Sequence, residues 1–469
     1  MIDYIIIAVY MLGVVALGIL ASNSNRSFRE FAVADAGFGP VLLLATLSAS
    51  FIGGGFSLGN AAKVYSNGIY YSFMLLGFSL QILLISLFLA PRAHRFAGAM
   101  SVGDILERKY GRSSRIAGGV LSFLSCAGIL GAQIGGMGAI LEVLTGIPYI
   151  WGALLGCVVI LFYSTVGGIR AVVWTDAVQF ALLAVAIPLV LVLGIVKAGG
   201  WSAIVAKLPP EKLAIFPDSV PATALISLFL VFLLGEALVP PYVQRLLISR
   251  DRRHLFWGTF GSGLLSGPFF LIAGGIGLVA IVLLPTIDPN TAFPAMVKLL
   301  APPGVRGLII AGVMAIVMSS ADSFLLCASV AVVQDIYRPL SKKRNDEAVK
   351  LKIARTANIL TGAAALVFVL YIPNVLDVLI FAYNFWAPLV LVPLTAALLD
   401  LKVRKISFAA GLLAGLAGSL LWNRFFRTAI PLDGIVVGVL CNLLAFTAAN
   451  LIPSPGHRVK SPAIQNLNN

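Results

Sequence analysis

Ser48-Ala49-Ser50-Phe51-Ile52-Gly53-Gly54-Gly55 reads as the middle of a membrane-spanning helix that is broken at its centre. The apolar run around it covers residues 38–59, about the ~20 residues that cross a bilayer. Three consecutive glycines inside such a run weaken the helical backbone where nothing else would. A second interruption lies in the run 221–248, where Gly235 is followed by Pro240-Pro241. Proline supplies no backbone donor and cannot continue a helix. Glycine and proline are also simply more frequent in membrane helices, so either break alone leaves both readings open. As a pair they say more. The two runs lie five spans apart, and an odd number of steps reverses direction across the membrane. Inverted repeats whose broken helices meet near the midplane are the architecture of secondary transporters.

Outward from these breaks the same pattern continues along the chain. Apolar runs fall near 2–21, 38–59, 70–91, 114–143, 148–165, 172–197, 221–248, 258–284, 304–335, 350–371, 374–399, 405–422 and 433–452, which predicts about thirteen spans of an all-α integral membrane protein. Of the 469 residues 59% are hydrophobic and 11% charged, with a mean hydropathy of +1.00. Soluble domains carry about 25% charged residues, so the solvent of this chain is lipid. The run 2–21 has no basic residues before it and no cleavage pattern after it, and is counted as a first span. The net charge of +14 does not point to nucleic acid, because the basic residues sit between apolar runs. Cys126, Cys157, Cys327 and Cys441 fall inside runs, without disulfide or metal-ligand spacing. His94, His254 and His457 lie in polar loops. No nucleophile, base or metal constellation of an enzyme is present.

Basic residues set orientation. With the N-terminus outside, only Lys63, Lys197, Lys207, Lys212, Lys298, Arg306, Arg424 and Arg427 fall on the outer side, and the remaining 25 of the 33 face inward. This count places Arg170 and Arg245 in inner loops and the C-terminus in the cytoplasm of a multi-pass plasma-membrane protein.

An ionisable group deep in a span costs about 2.5–3.5 kcal/mol on insertion scales and needs a partner or a water-filled cavity. Asp176, Glu236 and Asp322 are such groups, whereas Glu142 and Asp335 are expected to be interfacial. Ser319 and Ser320 lie in a long apolar helix. They can bond their own helix or a neighbour, or add neutral oxygens to carbonyls freed by the broken second span, as a sodium ion requires. Ala49 with Ile52, and Ile316 with Ser319, have the three-residue spacing that shares a helix face.

Four ordered motifs carry a resemblance. Val166-Gly-Gly-Ile-Arg-Ala-Val-Val-Trp-Thr-Asp-Ala-Val-Gln179 resembles the signature of the sodium:solute symporter family. Met318-Ser-Ser-Ala-Asp-Ser323, running on to Asp335-Ile-Tyr337, is similar to that family's eighth core helix. Residues 48–55 are similar to its first, and Tyr242-Val-Gln-Arg-Leu246 to the end of its sixth. The resemblance covers nearly the whole chain. It implies the leucine-transporter-type fold, an inverted repeat of five plus five helices, within a single transporter domain over 1–455. There, 2–21 is an extra N-terminal helix, 38–197 the first repeat, 221–399 the second, 405–452 two extra helices and 456–469 a cytoplasmic tail.

It further implies sodium as coupling ion, bound by the carbonyls of Ala49, Ile52 and Ile316 and the hydroxyls of Ser319 and Ser320. Asp176, Asp322 and Ser323 then mark the sodium path or a second cation site. Phe51, Phe56, Gln133, Glu236, Tyr383 and Asn384 are the residues expected at a small organic solute. The stretch from Phe51 through Tyr65 most resembles the choline-transporter branch. Phe51, Ile129 and Val239 stand where that branch has tryptophans, so its aromatic cage is largely missing. Phe56, Leu75 and Phe78 stand where sugar-transporting members have polar side chains. Glu236 is a departure from the aromatic residues of this stretch. It either reads a cationic or donor group on the solute or bonds backbone N–H groups freed by the helix break. The function implied is sodium-coupled symport by alternating access. A proton-coupled transporter on the same fold and a non-transporting sensor are the alternatives. The solute and the oligomeric state are not legible.

Overall fold

The computed structural model describes residues 2–22, 27–34, 37–341, 346–371, 380, 382–384 and 386–452. The tail 456–469 and most of the 374–399 run before Ala387 therefore lie outside the described residues. Long helices dominate. They are α1 (Ile2–Ser22), α2 (Pro40–Phe51), α3 (Asn60–Asn67), α4 (Tyr70–Leu84), α5 (Val102–Tyr110), α6 (Arg112–Thr145) and α7 (Tyr149–Lys197). The second half of the chain gives α8 (Ala222–Leu234), α9 (Pro240–Leu247), α10 (Arg252–Leu283), α11 (Val305–Ala331), α12 (Glu347–Tyr371), α13 (Val392–Leu398), α14 (Lys405–Phe425) and α15 (Gly434–Leu451). Among the described residues eight helices are long and apolar enough to cross a membrane, or nine with the bent pair counted as one span. Tyr149–Thr165, Ala222–Leu234 and Ala387–Leu398 are shorter apolar helices.

Both expected breaks are present. α2 ends at Phe51, and the chain resumes through a π-turn at Gly55–Gly59 into α3, bent by 57°. Gly53 is required there by close approach, since a Cβ on it would lie 2.6 Å from Ser320 Oγ. α8 ends at Leu234. The chain then passes through Leu238 at φ 55°, a left-handed conformation that costs a non-glycine residue energy, and restarts at Pro240. Proline suits the first helical turn because its missing donor has no partner there anyway.

One expected loop is very short. Runs 148–165 and 172–197 form two helices, Tyr149–Thr165 and Gly167–Lys197, that meet within α7 at Gly168, φ 61° and ψ −167°. Arg170 consequently sits on the helix rather than in a loop, half-buried, with Nη2 3.5 Å from the Ala34 carbonyl.

α11 is almost wholly buried, 94% of its most apolar window, and packs on α6 and α7. Its polar side chains therefore point at protein. α1, α2, α9 and α12 close around it, and α14 and α15 form a peripheral pair.

Polar contacts at the ends sort by side. Asp3 takes the N–H groups of Gly304 and Gly307 and pairs with Arg306. Lys212 donates to the Ser66 carbonyl. At the other end Arg95 and Lys109 both meet Asp400, and Arg112 donates to Pro339. The Lys109 ammonium, by hydrogen bond and charge, holds the Asp400 carboxyl below the usual carboxylate range. Each of these contacts joins segments that the charge pattern puts on one side.

Candidate functional site

The broken end of α2 meets the middle of α11. A helix terminus leaves its last carbonyls without intrahelical donors and carries a partial negative charge. Ile52 closes α2 by donating its N–H to Ser48 O, and the chain leaves the helix there at φ −83° and ψ 48°. The carbonyls that follow Ser48 are thereby released. Ser319 Oγ donates to Ala49 O at 2.9 Å and lies 3.1 Å from Ile316 O. Ser320 Oγ donates to Ser50 O at 2.9 Å and lies 3.4 Å from Ile316 O. Two hydroxyls and three carbonyls thus converge on one spot beside Gly53. Gln133, from α6, accepts the Gly54 N–H at 2.8 Å and so caps the restart of the broken helix.

Below this point lies a buried charge cluster. Arg245 on α9 is fully buried, not in a loop as its place in the charge count implied. Its Nη2 lies 3.3 Å from Asp176 Oδ2, 2.5 Å from Ser323 Oγ, 3.3 Å from Ser50 Oγ and 3.4 Å from Thr46 Oγ1. Thr46 also donates to Asp176 Oδ2 at 2.5 Å. Asp322 turns the other way. It accepts from Tyr163 OH at 3.0 Å and from Ser323 Oγ at 3.3 Å. Of the oxygens that the sequence suggested for a second cation, those of Asp176 and Ser323 therefore face a guanidinium in this structure, and those of Asp322 do not. A buried arginine is well suited to this, being always charged and offering several donors in a fixed fork. The signal was available: Arg245 lies inside the apolar run 221–248.

Above, the expected solute residues form an aromatic layer. Phe51 packs edge-on to Tyr242 with centroids 4.2 Å apart and to Phe78 at 5.5 Å. Phe56 meets Phe78 at 4.6 Å and Phe270 at 5.5 Å. Glu236 sits in the α8–α9 break. One of its oxygens accepts from Tyr242 OH and the other from Tyr383 OH at 2.5 Å. The carboxylate is therefore braced by two phenols and not by freed backbone N–H groups, which corrects that expectation. The break is instead tied by Trp386 Nε1 donating to Ala237 O at 2.9 Å. Phe51, Phe56, Gln133, Glu236 and Tyr383 are each 3% exposed or less, so the centre is closed. Asn384 is not part of this layer. It bonds Ile380 O at 3.2 Å and receives Ser419 Oγ of α14 at 3.2 Å.

On the side expected to face outward, a cavity of about 220 Å³ opens beside Leu58 and Gly59, with Glu142, Tyr149 and Asp288 at its wall. Toward the other side lies a pocket of only about 10 Å³ bordered by Asp335. Asp335 is not interfacial, as its position near a span end had suggested. It is fully buried, accepts from Ser101 Oγ at 2.5 Å and lies 3.5 Å from Arg115 Nε. Sequence reasoning also missed Thr46, Ser50, Tyr163 and Tyr242. Hydroxyls of this kind carry no periodicity that separates a site from ordinary packing.

A family model described as the sodium:solute symporter family matches residues 31–418. A sodium/proline symporter of Staphylococcus aureus is 24% identical over 98% of this chain and 94% of its own length. The structure of a substrate-bound, outward-open Na⁺-coupled sialic acid symporter superposes with a TM-score of 0.81 at 20% identity, over 96% of each chain. Mhp1, a nucleobase-cation-symport-1 family transporter, in a closed conformation with bromovinylhydantoin bound, gives 0.62 at 16% identity, over 91% of this chain and 95% of that one. These likenesses show the leucine-transporter-type fold.

Proposed function

The chain belongs to the sodium:solute symporter family, and from that premise we propose where its sodium ion and its solute sit. It is a multi-pass secondary transporter, not an enzyme, and couples a small solute to sodium. In the proposed arrangement sodium binds at the end of α2, against Ser319 and Ser320. The observation that carries this is the convergence of both hydroxyls on the carbonyls of Ala49, Ser50 and Ile316. Those groups now satisfy one another. An entering sodium ion takes the carbonyl oxygens of Ala49, Ile52 and Ile316 and the hydroxyl lone pairs of Ser319 and Ser320. Broken helices coordinate cations by this device.

The solute then lies against Phe51, Phe56, Gln133, Glu236 and Tyr383, between the two broken helices. Proteins similar to this chain include a sodium/proline symporter and a Na⁺-coupled sialic acid symporter. A carboxylate edged by aromatic rings favours a compact solute with an ammonium or another hydrogen-bond donor, such as an amino acid. Asp176, Asp322 and Ser323 line the inner path of the ion, with Arg245 as a tethered positive charge that holds the path closed. The proposed repeats are 38–197 and 221–399 within one domain. The chain is placed in the cell membrane, N-terminus outside and C-terminus cytoplasmic.

The test is sodium-dependent thermal stabilisation of the purified protein. Ser319→Ala/Ser320→Ala removes two ligands that the carbonyls cannot replace. Sodium affinity is expected to fall at least about tenfold, or about 1.4 kcal/mol, with the protein still inserted. An unchanged sodium response sinks the assignment.

A further inference from the structure

A second cluster lies where α5, α6 and the end of the α11 span meet. Arg115 on α6 faces three carboxylates there. Its Nη2 is 2.6 Å from Asp104 Oδ1, its Nη1 bonds Glu107 Oε2, and its Nε is 3.5 Å from Asp335 Oδ1. Asp104 further accepts from Met100 N at 2.8 Å and from Gln334 Nε2 at 3.1 Å. Asp335 Oδ1 takes the Ser101 hydroxyl. One guanidinium thus answers three negative charges.

The shortfall falls on one atom. Asp335 Oδ2 is fully buried and makes no hydrogen bond of good geometry, with the Gly103 backbone N–H as a further donor beside its carboxyl. Ser122 Oγ, on α6, is equally buried and without a partner. Both residues border the same small pocket of about 10 Å³, together with Ser101, Gln244, Cys327 and Pro240. Buried polar atoms are almost always paired, and two under-satisfied atoms at one cavity call for an occupant. The volume is close to the minimum for a single water-sized particle. The helix itself is altered here, with a π-turn at Val332–Tyr337 carrying Asp335, and such turns recur at functional sites.

The pocket is also connected to the centre by side-chain pattern. Ser122, Ser125, Ile129 and Gln133 share one face of α6, within about 80° of each other at about 100° per residue. Ser125 Oγ is likewise buried without a partner. The face rises about 16 Å from the pocket to Gln133, which holds the Gly54 N–H at the helix break. Pro240 and Gln244 belong to α9, so the pocket lies between the second half of a broken helix and the α6–α11 wall.

We propose that the Asp335–Ser122 pocket is a second sodium site, a waypoint on the inner side of the ion path whose occupancy holds α9 against α6 and α11. Asp335 Oδ2 supplies the formal charge, and Ser122 Oγ supplies a neutral oxygen. Ser101 and Gln244 stand at its wall. A hard monovalent cation fits this oxygen set. A transition metal does not, for no group of three His, Cys, Asp or Glu side chains that could hold a metal exists among the described residues. The proposal rests on sodium being the coupling ion and not on the Ser319–Ser320 assignment.

Ser122→Ala tests it, because Ser122 Oγ hydrogen-bonds neither Arg115 nor its carboxylates. Asp335→Asn, which keeps an acceptor for Ser101, is the second variant. Melting of the full-length protein is followed against sodium chloride, with N-methylglucamine chloride at matched ionic strength as the control. Expected is a two-phase sodium titration in the wild type. Either variant loses the weaker phase, shifting it at least tenfold, and leaves the tighter phase in place. In the Ser319→Ala/Ser320→Ala background the residual sodium response is expected to vanish when Ser122→Ala is added. The proposal is overturned by a single phase in the wild type, or by an unchanged second phase in both variants. An equal melting shift in sodium and N-methylglucamine also overturns it, since the pocket then holds water. Unchanged sodium binding in the Ser319→Ala/Ser320→Ala background alone speaks against the central site and leaves this pocket to be judged by Ser122→Ala.

Discussion

Arg245 and Asp176 meet in the interior of the protein, Nη2 to Oδ2 at 3.3 Å, with both side chains fully closed off from solvent. Removing one member of such a pair strands the other as an uncompensated buried charge, at a cost of about 3–5 kcal/mol. Arg245→Met is expected to lower the melting temperature sharply. Asp176→Asn combined with Arg245→Met is expected to recover much of that loss, because the stranded charge disappears with its partner. A double variant whose loss is the sum of the two single losses shows that the groups are not coupled.

Gly53 is the contact point between the broken helix and Ser320. A Cβ there lies 2.6 Å from Ser320 Oγ, so Gly53→Ala must displace the hydroxyl. Overpacking of this kind costs about 1–3 kcal/mol. Sodium affinity is expected to fall while solute binding at saturating sodium persists. Isothermal titration with sodium reads this directly. Wild-type affinity in Gly53→Ala means that Ser320 Oγ does not bind the ion.

Glu236 keeps its two phenols in any role, so its variants must separate them. Glu236→Gln is expected to change which solute stabilises the protein, with sodium affinity nearly intact. Tyr383→Phe leaves one buried carboxylate oxygen without its donor and is expected to cost about 1–3 kcal/mol whatever the solute. Solute screening by thermal shift, run on both variants, distinguishes recognition from bracing. If Glu236→Gln loses stability and sodium binding together and keeps its solute preference, Glu236 only braces the break.

The contacts sort the polar ends into two groups, and the charge pattern proposes which group faces out. The Asp3–Arg306 and Lys212–Ser66 contacts belong to one end, and the Arg95–Asp400 and Arg112–Pro339 contacts to the other. A reporter fused within the 338–355 loop is expected to read cytoplasmic, and one inserted near Glu211 external. Both reporters on the same side contradict the topology, and a clean exchange of the two inverts it.

Much of the frame is legible without coordinates. Lipid removes the option of unpaired backbone, so an apolar run must become a helix, and Gly53-Gly54-Gly55 and Pro240-Pro241 can only interrupt one. Both breaks appear where the residues demand them. Ser319 and Ser320 are singled out by the same logic, since a polar pair inside an otherwise apolar helix needs partners. The joint of α7 was less legible, because a short turn at Gly168 stands where the two apolar runs had suggested a longer loop.

Partner choice is what the sequence by itself could not determine. Arg245, counted along the chain, looks like one more inward-facing charge. Only the packing of α9 against α2, α7 and α11 carries it into the interior and gives it Asp176. Asp335 looks interfacial until α5 and α6 fold over it, and Glu236 reads equally as a solute contact or a bond to its own helix break until Tyr383 arrives from 147 residues away. Local sequence sets backbone conformation and burial propensity, because those depend on near neighbours and on the solvent. The pairing of buried polar groups depends on which helices touch, and that is decided by the whole bundle at once.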